Sequence, residues 1–476
     1  MTERRGPRRR SVSRPSERVR AADPAREVAY DVLRAVEADD AYANLVLPVL
    51  LRRRALDTRD AALATELAYG TLRGRGTYDE VLAACIDRDL ADVDPPVLDA
   101  LRLGAHQLLA TRVPPHAAVN QTVALVRDRV SQGAGGFTNA VLRRVGAKDL
   151  AGWLDDVAPA RADDLVGHLV ATTSHPPWIV RAFAESLGAH GRTIAELDDL
   201  LAADNDPPLV ALATRPGLAD VEELVRAGAR PGRWSPVAAV LDGGDPGALD
   251  AVREGRARVQ DEGSQLAALA LAAAPVTGRD ERWLDLCAGP GGKAALLAAV
   301  AARRGASLEA VEVADHRVAL VRRALTGTPG EPLVRLGDGR DVGREAPSAY
   351  DRVIVDAPCT GLGALRRRPE ARWRRKPSDL AALAPLQRDL LASALDAVRP
   401  GGVVAYVTCS PHPAETLAVV TDLTRRRDDV EALDARAVLG EVAGRDVPGT
   451  GPGPAAQLWP HLHGTDAMFV ALLRRT

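Results

Sequence analysis

From about residue 259 to the C-terminus, short apolar runs alternate with amphipathic stretches, and this alternation constrains the fold more than any other feature of the sequence. In the amphipathic stretches the apolar residues recur at the helical spacing of three and four, whereas the short runs are typical of buried strands. Strands separated by helices build a mainly parallel, doubly wound sheet. The predicted strands are Arg282–Leu286, Leu308–Val313, Leu333–Leu336, Arg352–Val355 and Val403–Thr408.

The N-terminal part of the chain has a different pattern. From Asp23 to about Val145 the apolar residues recur at threes and fours, with breaks at Asp92–Pro96 and at Pro114–Pro115. Helical periodicity that is interrupted only by proline-containing turns is typical of a helical bundle. We therefore predict a compact all-α domain over this segment.

Two further segments complete the predicted organisation. The first 20 residues carry eight arginines and two glutamates, so their formal charge of +6 leaves −8 for the remainder of the chain. With almost no apolar side chain, this tail is predicted to be disordered and to offer at most weak electrostatic contact with nucleic acid. The predicted domains are a basic tail at 1–22, an all-α domain at 23–147, a small connecting α/β region at 148–250 and the main α/β domain at 251–476.

Composition excludes several classes of protein. Of the 476 residues, 46% are hydrophobic and 26% are charged, which is typical of a globular protein with substantial cores. No stretch approaches the roughly 18 apolar residues of a membrane span, and no secretory signal is present. The four cysteines include no CxxC pair and the nine histidines show no metal-ligand spacing. We expect a cytoplasmic enzyme with reduced thiols, no metal ion and no membrane contact.

A glycine-rich turn follows the first predicted strand, in the sequence Leu284-Asp-Leu-Cys-Ala-Gly-Pro-Gly-Gly-Lys293. Glycines let the backbone turn tightly and approach a ligand, and the N-terminus of the next helix offers free N–H groups to a carboxylate or phosphate. The spacing is neither GxGxxG nor GxxxxGK[ST], which disfavours a dinucleotide fold and a triphosphate loop. Taken alone, such a turn also fits simple packing of a helix on a sheet.

Acidic residues at the next two strand ends strengthen the case for a ligand. Glu312 lies about 20 residues beyond the glycines, where a carboxylate can bind ribose hydroxyls, and Asp338 is placed to meet an adenine amino group. Either could instead be an exposed strand-end carboxylate, but together with the glycine turn they favour S-adenosylmethionine. The predicted cofactor-binding residues are Cys287, Ala288, Gly289, Pro290, Gly291, Gly292, Lys293, Glu312, Asp338 and Asp356.

Two cysteines lie just beyond the ends of the fourth and fifth predicted strands, in Asp356-Ala-Pro-Cys359 and Thr408-Cys-Ser410. Ligands of open α/β sheets bind outside the carboxyl ends of the strands. A buried cysteine acting as a small hydrophobe is the usual alternative, and we favour it for Cys85 and largely for Cys287. For the two strand-end thiols we favour a reactive role.

These motifs carry a resemblance to a known family. Together with Cys287–Lys293, the two strand-end cysteine motifs resemble those of RNA cytosine-C5 methyltransferases. One departure is Pro413-Ala-Glu-Thr416, where the family usually has Pro-Glu-Glu-Asn. The order of domains resembles that of the Sun/Fmu-type (RsmB) 16S ribosomal RNA methyltransferases over nearly the whole chain beyond the tail. The N-terminal cues that resemble a NusB-type RNA-binding domain are Glu66–Arg73, Leu101–Gly104, Pro115–Val119 and Asn139–Arg144.

The resemblance implies a Rossmann-like, class I S-adenosylmethionine-dependent methyltransferase domain behind a NusB-like bundle. It implies formation of 5-methylcytosine in 16S ribosomal RNA, with Cys409 attacking C6 of the base and Cys359 assisting product release. Asp356 is placed to hold the N3/N4 edge of the cytosine and to activate it. DNA cytosine methyltransferases use the Pro-Cys cysteine as nucleophile instead, so the roles of the two thiols are a hypothesis.

Other functions stay open at this point. The same reaction on transfer RNA is one alternative, and a non-catalytic RNA-binding or antitermination factor is another. Two reactive thiols weigh against the non-catalytic factor, and the glycine spacing weighs against a dehydrogenase. We expect a monomer whose partner is ribosomal RNA.

The segment from Arg366 to Lys376 has seven basic residues in eleven positions and one aromatic side chain that could stack on a base. A solvated charged loop is the alternative, but RNA contact is favoured because the segment leaves the same sheet edge as the two thiols. The predicted RNA-binding residues are Arg366, Arg367, Arg368, Arg372, Trp373, Arg374, Arg375 and Lys376.

Overall fold

The computed structural model describes residues 23–476, which fall into two compact units, one ending at Asp163 and the other running from Asp164 to Thr476. The predicted basic tail at 1–22 lies outside the described residues. Within the described part of the chain, no helix is both long and apolar enough to cross a membrane. The predicted domain boundaries at residues 147 and 250 remain predictions.

The first unit is all-α, as the periodicity predicts. Several of its helices begin at signals that the sequence carries, such as the Asp23 side chain that accepts the N–H of Arg26 and the proline at the first position of the helix from Pro24. Its helices are α1 (Pro24–Ala38), α2 (Ala43–Arg54), α3 (Thr58–Arg73), α4 (Arg75–Cys85), α5 (Pro95–Ala110), α6 (Pro115–Arg129), α7 (Gln132–Val145) and α8 (Leu150–Val157).

Close helix packing explains two features of this unit. Gly104 of α5 lets α7 approach, because a Cβ at this position would lie 2.7 Å from the methyl carbons of Leu142. Trp153 of α8 packs into the same core and donates its indole N–H to the carbonyl of Val145 at 2.8 Å. Each fully buried leucine of such a core stabilises the fold by about 1.5–3 kcal/mol.

The second unit begins with helices around a small sheet. Its strands β1 to β4 pair antiparallel in the order β2-β3-β1-β4, so the connecting region is α/β as predicted. The helices are α9 (Leu165–Thr173), α10 (Pro177–Ala189), α11 (Leu197–Asn205), α12 (Val221–Arg226), α13 (Asp250–Arg253) and α14 (Glu262–Ala273). The strands are β1 (Val210–Thr214), β2 (Arg230–Pro231), β3 (Ala238–Leu241) and β4 (Ala257–Val259).

The main sheet follows, with helices on both faces. Its strands are β5 (Arg282–Asp285), β6 (Ser307–Glu312), β7 (Leu333–Leu336), β8 (Tyr350–Asp356), β9 (Val398–Thr408), β10 (Val430–Leu433), β11 (Ala456–Gln457) and β12 (Phe469–Arg475). Its helices are α15 (Gly292–Arg303), α16 (Asp315–Leu325), α17 (Val342–Glu345), α18 (Ala371–Arg374), α19 (Pro377–Ala397), α20 (Leu417–Arg425), α21 (Ala435–Ala443) and α22 (Pro460–His463).

The order of strands in this sheet is β10-β12-β9-β8-β5-β6-β7, with β11 paired to β12. Strands β5 to β9 run parallel, whereas β12 is antiparallel to both β9 and β10. The five predicted strands and the Rossmann-like class are thus confirmed, and the sheet is mixed because of β12.

Topology determines where a ligand can bind. The chain moves outward from β5 to β6 and β7, then returns to the other side of β5 to form β8 and β9. The crevice at such a switch point, outside the carboxyl ends of the strands, is the usual ligand site of an open α/β sheet. All the strand-end motifs singled out in the sequence lie at this edge.

Candidate active site

The turn between β5 and α15 is shaped by two glycines. Gly291 has φ 105°, in the left-handed region that favours glycine, and it caps the N-terminus of α15, which begins at Gly292. The N–H of Gly289 donates to Glu312 Oε2 at 3.0 Å, and a Cβ at position 289 would overlap that oxygen. Only glycine therefore lets the turn approach the acidic end of β6 this closely.

Further contacts fix this turn against β6. The N–H of Ala288 donates to the carbonyl of Val311 at 2.9 Å, while Pro290 is exposed at the tip of the turn. The second carboxylate oxygen of Glu312 accepts the N–H of Ala314 at 2.9 Å. Each oxygen of Glu312 accepts one backbone hydrogen bond and keeps a lone pair for a ribose hydroxyl. The structure thus brings together the glycine turn and the carboxylate that the sequence pairs.

Asp338 lies at the same edge, just after β7, and it is engaged by a neighbour. Its carboxylate accepts hydrogen bonds from the backbone N–H of Arg340 at 3.0 Å and from the guanidinium of the same residue at 2.6 Å. These hydrogen bonds with Arg340 lower the pKa of Asp338. An adenine amino group would share this carboxylate with Arg340.

The sequence analysis missed a carboxylate beneath the glycine turn. Asp285, the last residue of β5, is buried, and its Oδ1 accepts the N–H of Cys287 at 3.3 Å. Within residues 23–476 its Oδ2 has no hydrogen-bond partner. Burial and the charge of Asp356 raise the pKa of Asp285 to about 7. A buried carboxyl oxygen with no partner beside a cofactor turn is suited to a cationic ligand group.

The two strand-end thiols meet at the ends of β8 and β9. Cys359 Sγ and Cys409 Sγ lie 3.5 Å apart, and both side chains are partly exposed at the edge of the sheet. The hydrogen bond from Cys359 lowers the pKa of Cys409, and the charges of Lys293 and Arg368 lower it further. The same hydrogen bond, with burial, raises the pKa of Cys359 well above its usual range. The environment thus favours Cys409 as the thiolate.

An ion pair borders the thiols on the cofactor side. Lys293, in the first turn of α15, donates to Asp356 Oδ2 at 2.9 Å. Burial disfavours the charged form of Lys293, but the charge of Asp356 and this hydrogen bond outweigh burial and raise the pKa of the ammonium group. Lys293, which ends the glycine turn, and Asp356, which begins the Asp356–Cys359 motif, therefore form one ion pair.

The other two cysteines differ from these. Cys85 is buried in the core of the first unit, where burial raises its pKa. In Cys287 burial and the acidic residues around the crevice raise the pKa well above its usual range. Both are held as neutral thiols, and neither has a thiol neighbour of its own within the described residues.

The structure corrects part of the predicted RNA-binding segment. Arg366 and Arg367 both form ion pairs with Asp261 and Asp466, at distances of 2.6–2.9 Å. Arg372 is fully buried and donates to the side chain of Asn205 at 2.7 Å. The prediction of RNA contact is wrong for Arg366 and Arg372, because their side chains are buried in the fold. Arg367 is partly exposed, and RNA contact by it stays a prediction.

The remaining five members of the segment stay candidates for RNA contact. Arg368 and Lys376 are exposed, whereas Trp373, Arg374 and Arg375 are partly buried. The charge of Arg368 contributes to lowering the pKa of Cys409, so Arg368 lies near the thiols.

Within residues 23–476, no three His, Cys, Asp or Glu side chains are grouped to hold a metal ion.

Comparisons with known proteins agree with this geometry. The family model described as 16S rRNA methyltransferase RsmB/F matches residues 271–474, and the model of the NusB family matches residues 23–147. A methyltransferase of Mycobacterium tuberculosis is 53% identical over 472 residues, which cover 99% of this chain and 98% of the relative. Ribosomal RNA small subunit methyltransferase B of Pseudomonas putida is 31% identical over 420 residues, 86% of this chain and 90% of the relative.

Solved structures share the fold. The crystal structure of PH0851 aligns with a TM-score of 0.76 and 20% identity, covering 96% of this chain and 99% of that chain. A methyltransferase homolog from Pyrococcus horikoshii aligns with a TM-score of 0.52 and 22% identity, over 66% of this chain and 99% of that chain.

The sheet order, the glycine turn and the acidic strand ends define an S-adenosylmethionine-dependent methyltransferase. More specifically, the chain belongs to the RsmB/F family of 16S rRNA methyltransferases, with a NusB-family domain at its N-terminus.

The raised pKa of Asp285 predicts a pH dependence of stability. Between about pH 4 and pH 7 the folded protein holds this proton and the unfolded chain does not, so the cost of Asp285 to stability grows as the pH rises through that range. The stabilising effect of Asp285→Asn should therefore be larger at pH 8 than at pH 5 in thermal unfolding. Asp338→Asn is the control, because its lowered pKa makes its effect equal at the two pH values. An Asp285→Asn effect that is equal at both would contradict the assignment.

The buried ion pairs predict that Arg366→Ala acts on stability. Removing this guanidinium leaves Asp261 and Asp466 short of a partner, which should cost about 3–5 kcal/mol of unfolding free energy in urea denaturation. Lys376→Ala, a change at an exposed side chain, should stay within about 0.5 kcal/mol of the parent protein. Unchanged stability with weakened RNA binding in Arg366→Ala would restore the predicted RNA contact.

Proposed function

We propose that the protein methylates C5 of a cytosine in 16S ribosomal RNA through a covalent adduct between Cys409 and C6 of the base. The observation that carries the proposal is the pair of thiols, 3.5 Å apart, in which the surroundings lower the pKa of Cys409 and raise that of Cys359. A thiolate is the nucleophilic form of cysteine, so Cys409 is the group prepared for attack.

The crevice fits S-adenosylmethionine. Gly289 lets the turn approach Glu312, whose two oxygens each keep a lone pair for a hydroxyl group. The buried Oδ2 of Asp285 has no hydrogen-bond partner among residues 23–476, and an ammonium group would supply one. When bound, the cofactor supplies an electrophilic methyl group. We propose that it is held by the turn from Cys287 to Lys293 and by carboxylates at the strand ends, namely Glu312 for the ribose, Asp338 for the adenine and Asp356 beside the reacting centre.

The covalent step is needed because C5 of cytosine is a poor nucleophile and must be activated before it can accept a methyl group. The thiolate of Cys409 adds to C6 and forms a carbon–sulfur bond, which moves electron density onto C5. Lys293 holds one oxygen of Asp356 at 2.9 Å, and the other oxygen can accept a hydrogen bond from the N3/N4 edge of the base. Asp356 thereby orients the cytosine and favours protonation at N3.

Release of the product reverses the first bond. After C5 carries the methyl group, a base removes the C5 proton, the C5–C6 double bond re-forms and the sulfur of Cys409 leaves C6 as the thiolate. N3 then gives up the proton that it took up in the addition step. We propose that Cys359 assists this release, since its sulfur lies beside that of Cys409. The high pKa of Cys359 makes it a weak competitor as nucleophile and a suitable proton carrier.

Ribosomal RNA is the substrate that the similar proteins favour. The matching family model and the Pseudomonas putida relative are both named for methylation of small-subunit ribosomal RNA. We propose that the RNA near the thiols is contacted by Arg368, Trp373, Arg374, Arg375 and Lys376. We propose separately that the NusB-family domain binds RNA. We take the protein to act in the cytoplasm, as a monomer and without a metal ion.

A methyl-transfer assay tests the proposal directly. Labelled S-adenosylmethionine is supplied with unmodified 16S RNA and, in parallel, with unmodified transfer RNA, and the modified base is mapped. The parent protein should label C5 of one 16S cytosine, and Cys409→Ala should lower the rate by at least about 1,000-fold because the nucleophile is lost. Cys85→Ala, which changes a thiol buried in the core of the first unit, is the matched control.

Three other results would change the account. Label on transfer RNA alone would keep the reaction and replace the substrate. Full activity of Cys409→Ala would contradict the assigned nucleophile. If both RNAs bind and neither is labelled, even as a ribosomal particle, the protein would be a non-catalytic RNA-binding factor.

A further inference from the structure

A buried carboxylate lies behind the thiol pair, in the short helical turn Pro413–Glu415. Glu415 is fully buried, and its two carboxylate oxygens accept the backbone N–H of Thr360 at 2.8 Å and the hydroxyl of the same residue at 2.5 Å. Thr360 directly follows Cys359 in the chain. Pro413–Thr416 departs from the usual family pattern at Ala414 and Thr416. It keeps Glu415, whose side chain contacts the loop that carries Cys359.

A second side chain completes the contact from the other side of Cys359. The side-chain amide of Gln387 in α19 donates to the carbonyl of Pro358 at 2.9 Å and to Glu415 Oε1 at 3.1 Å. The backbone before Cys359 and the backbone after it are thus both tied to one carboxylate. Since Thr360, Gln387 and Glu415 are buried, the hydrogen bonds among them are costly to lose.

The same turn is tied to the strand that carries the other thiol. Tyr406 of β9 donates its hydroxyl to the carbonyl of Glu415 at 2.8 Å, three residues before Cys409. The backbone of Glu415 is therefore tied to β9, while its carboxylate is tied to the loop after β8.

We propose that Glu415 is the positioning residue that holds Cys359 beside Cys409, so that one cysteine is the nucleophile and the other is not. This inference rests on the proposed function for the roles of the two thiols. It adds the group that distinguishes them.

Charge supports the geometric argument. The hydrogen bond with Cys409 is the largest cause of the raised pKa of Cys359, and the negative charge of Glu415 raises it further. The pKa of Cys409 is lowered by the hydrogen bond with Cys359 and by the positive charges of Lys293 and Arg368, which outweigh burial and the charge of Asp356. The negative charge of Glu415 near Cys359 and the positive charges of Lys293 and Arg368 near Cys409 thus move the pKa values of the two thiols apart.

Glu415→Gln is the sharpest test, because it keeps the size of the side chain and removes its charge. The full-length protein without RNA is treated briefly with iodoacetamide between pH 6 and pH 9, and the label on Cys359 and Cys409 is measured by peptide mass spectrometry at low conversion. In the parent protein the label should concentrate on Cys409. In Glu415→Gln the labelling of Cys359 should rise about tenfold at neutral pH, and its pH profile should move to lower pH.

Glu185→Gln is the matched control. Glu185 is an exposed residue of α10, and its carboxylate lies 3.8 Å from the ring of His412. His412 directly precedes the turn that carries Glu415. The profile of Glu185→Gln should equal that of the parent protein. A Cys359 profile that is unchanged in a folded Glu415→Gln protein would overturn the proposal, because a purely structural role does not shift a thiol titration.

A second pair of variants covers the case in which Glu415→Gln does not fold. Thr360→Val removes the hydroxyl that Glu415 holds, whereas Thr360→Ser retains it. Thr360→Val should raise the labelling of Cys359 and Thr360→Ser should not; equal labelling in the two would overturn the proposal. The alkylation measurement uses no RNA, so a failed methyl-transfer assay would count against the proposed function and leave this result intact.

Discussion

The parallel pairing of β8 with β9 is the constraint on which the site depends. In this register Asp356 lies opposite Val407, so the two strands end together and the loops that follow them carry Cys359 and Cys409 to within 3.5 Å. Because side chains alternate between the faces of a strand, a shift of one residue in either strand would turn the side chains of that strand to the opposite face. The register of β8 and β9 therefore brings the two thiols together, and the contacts of individual residues act on a pair that the sheet has already formed.

Charge is used in two ways around this edge. The arginines nearest the start of the basic segment form ion pairs with Asp261 and Asp466, which join α14, the cysteine loop region and the start of β12. Each guanidinium bridges the two carboxylates through two different nitrogens, an arrangement that the several N–H groups of arginine allow. Arg368 and Lys376 of the same segment are exposed. A dense basic run thus fixes the loops around the thiols and also leaves charge for RNA.

Much of the fold could be predicted because apolar periodicity and turn residues within short segments indicate its helices and strands. The five apolar runs became β5 to β9, and the glycine turn meets Glu312 as the strand-end argument requires. The roles of Asp285 and Glu415 could not be predicted, since their importance comes from burial that no spacing reveals. Nor could the partners of Arg366, which lie 105 and 100 residues away along the chain. The cysteine roles came from resemblance to a family and not from pattern alone.

The central claim is that Cys409, and not Cys359, bonds to the cytosine. The most direct measurement is to offer the protein S-adenosylmethionine and substrate RNA in which the target base is 5-fluorocytosine. Fluorine at C5 cannot leave as a proton does, so the covalent adduct persists after methyl transfer, and the cross-linked peptide can be identified by mass spectrometry. The account predicts a bond to Cys409 and its loss in Cys409→Ala. A bond to Cys359 would contradict it.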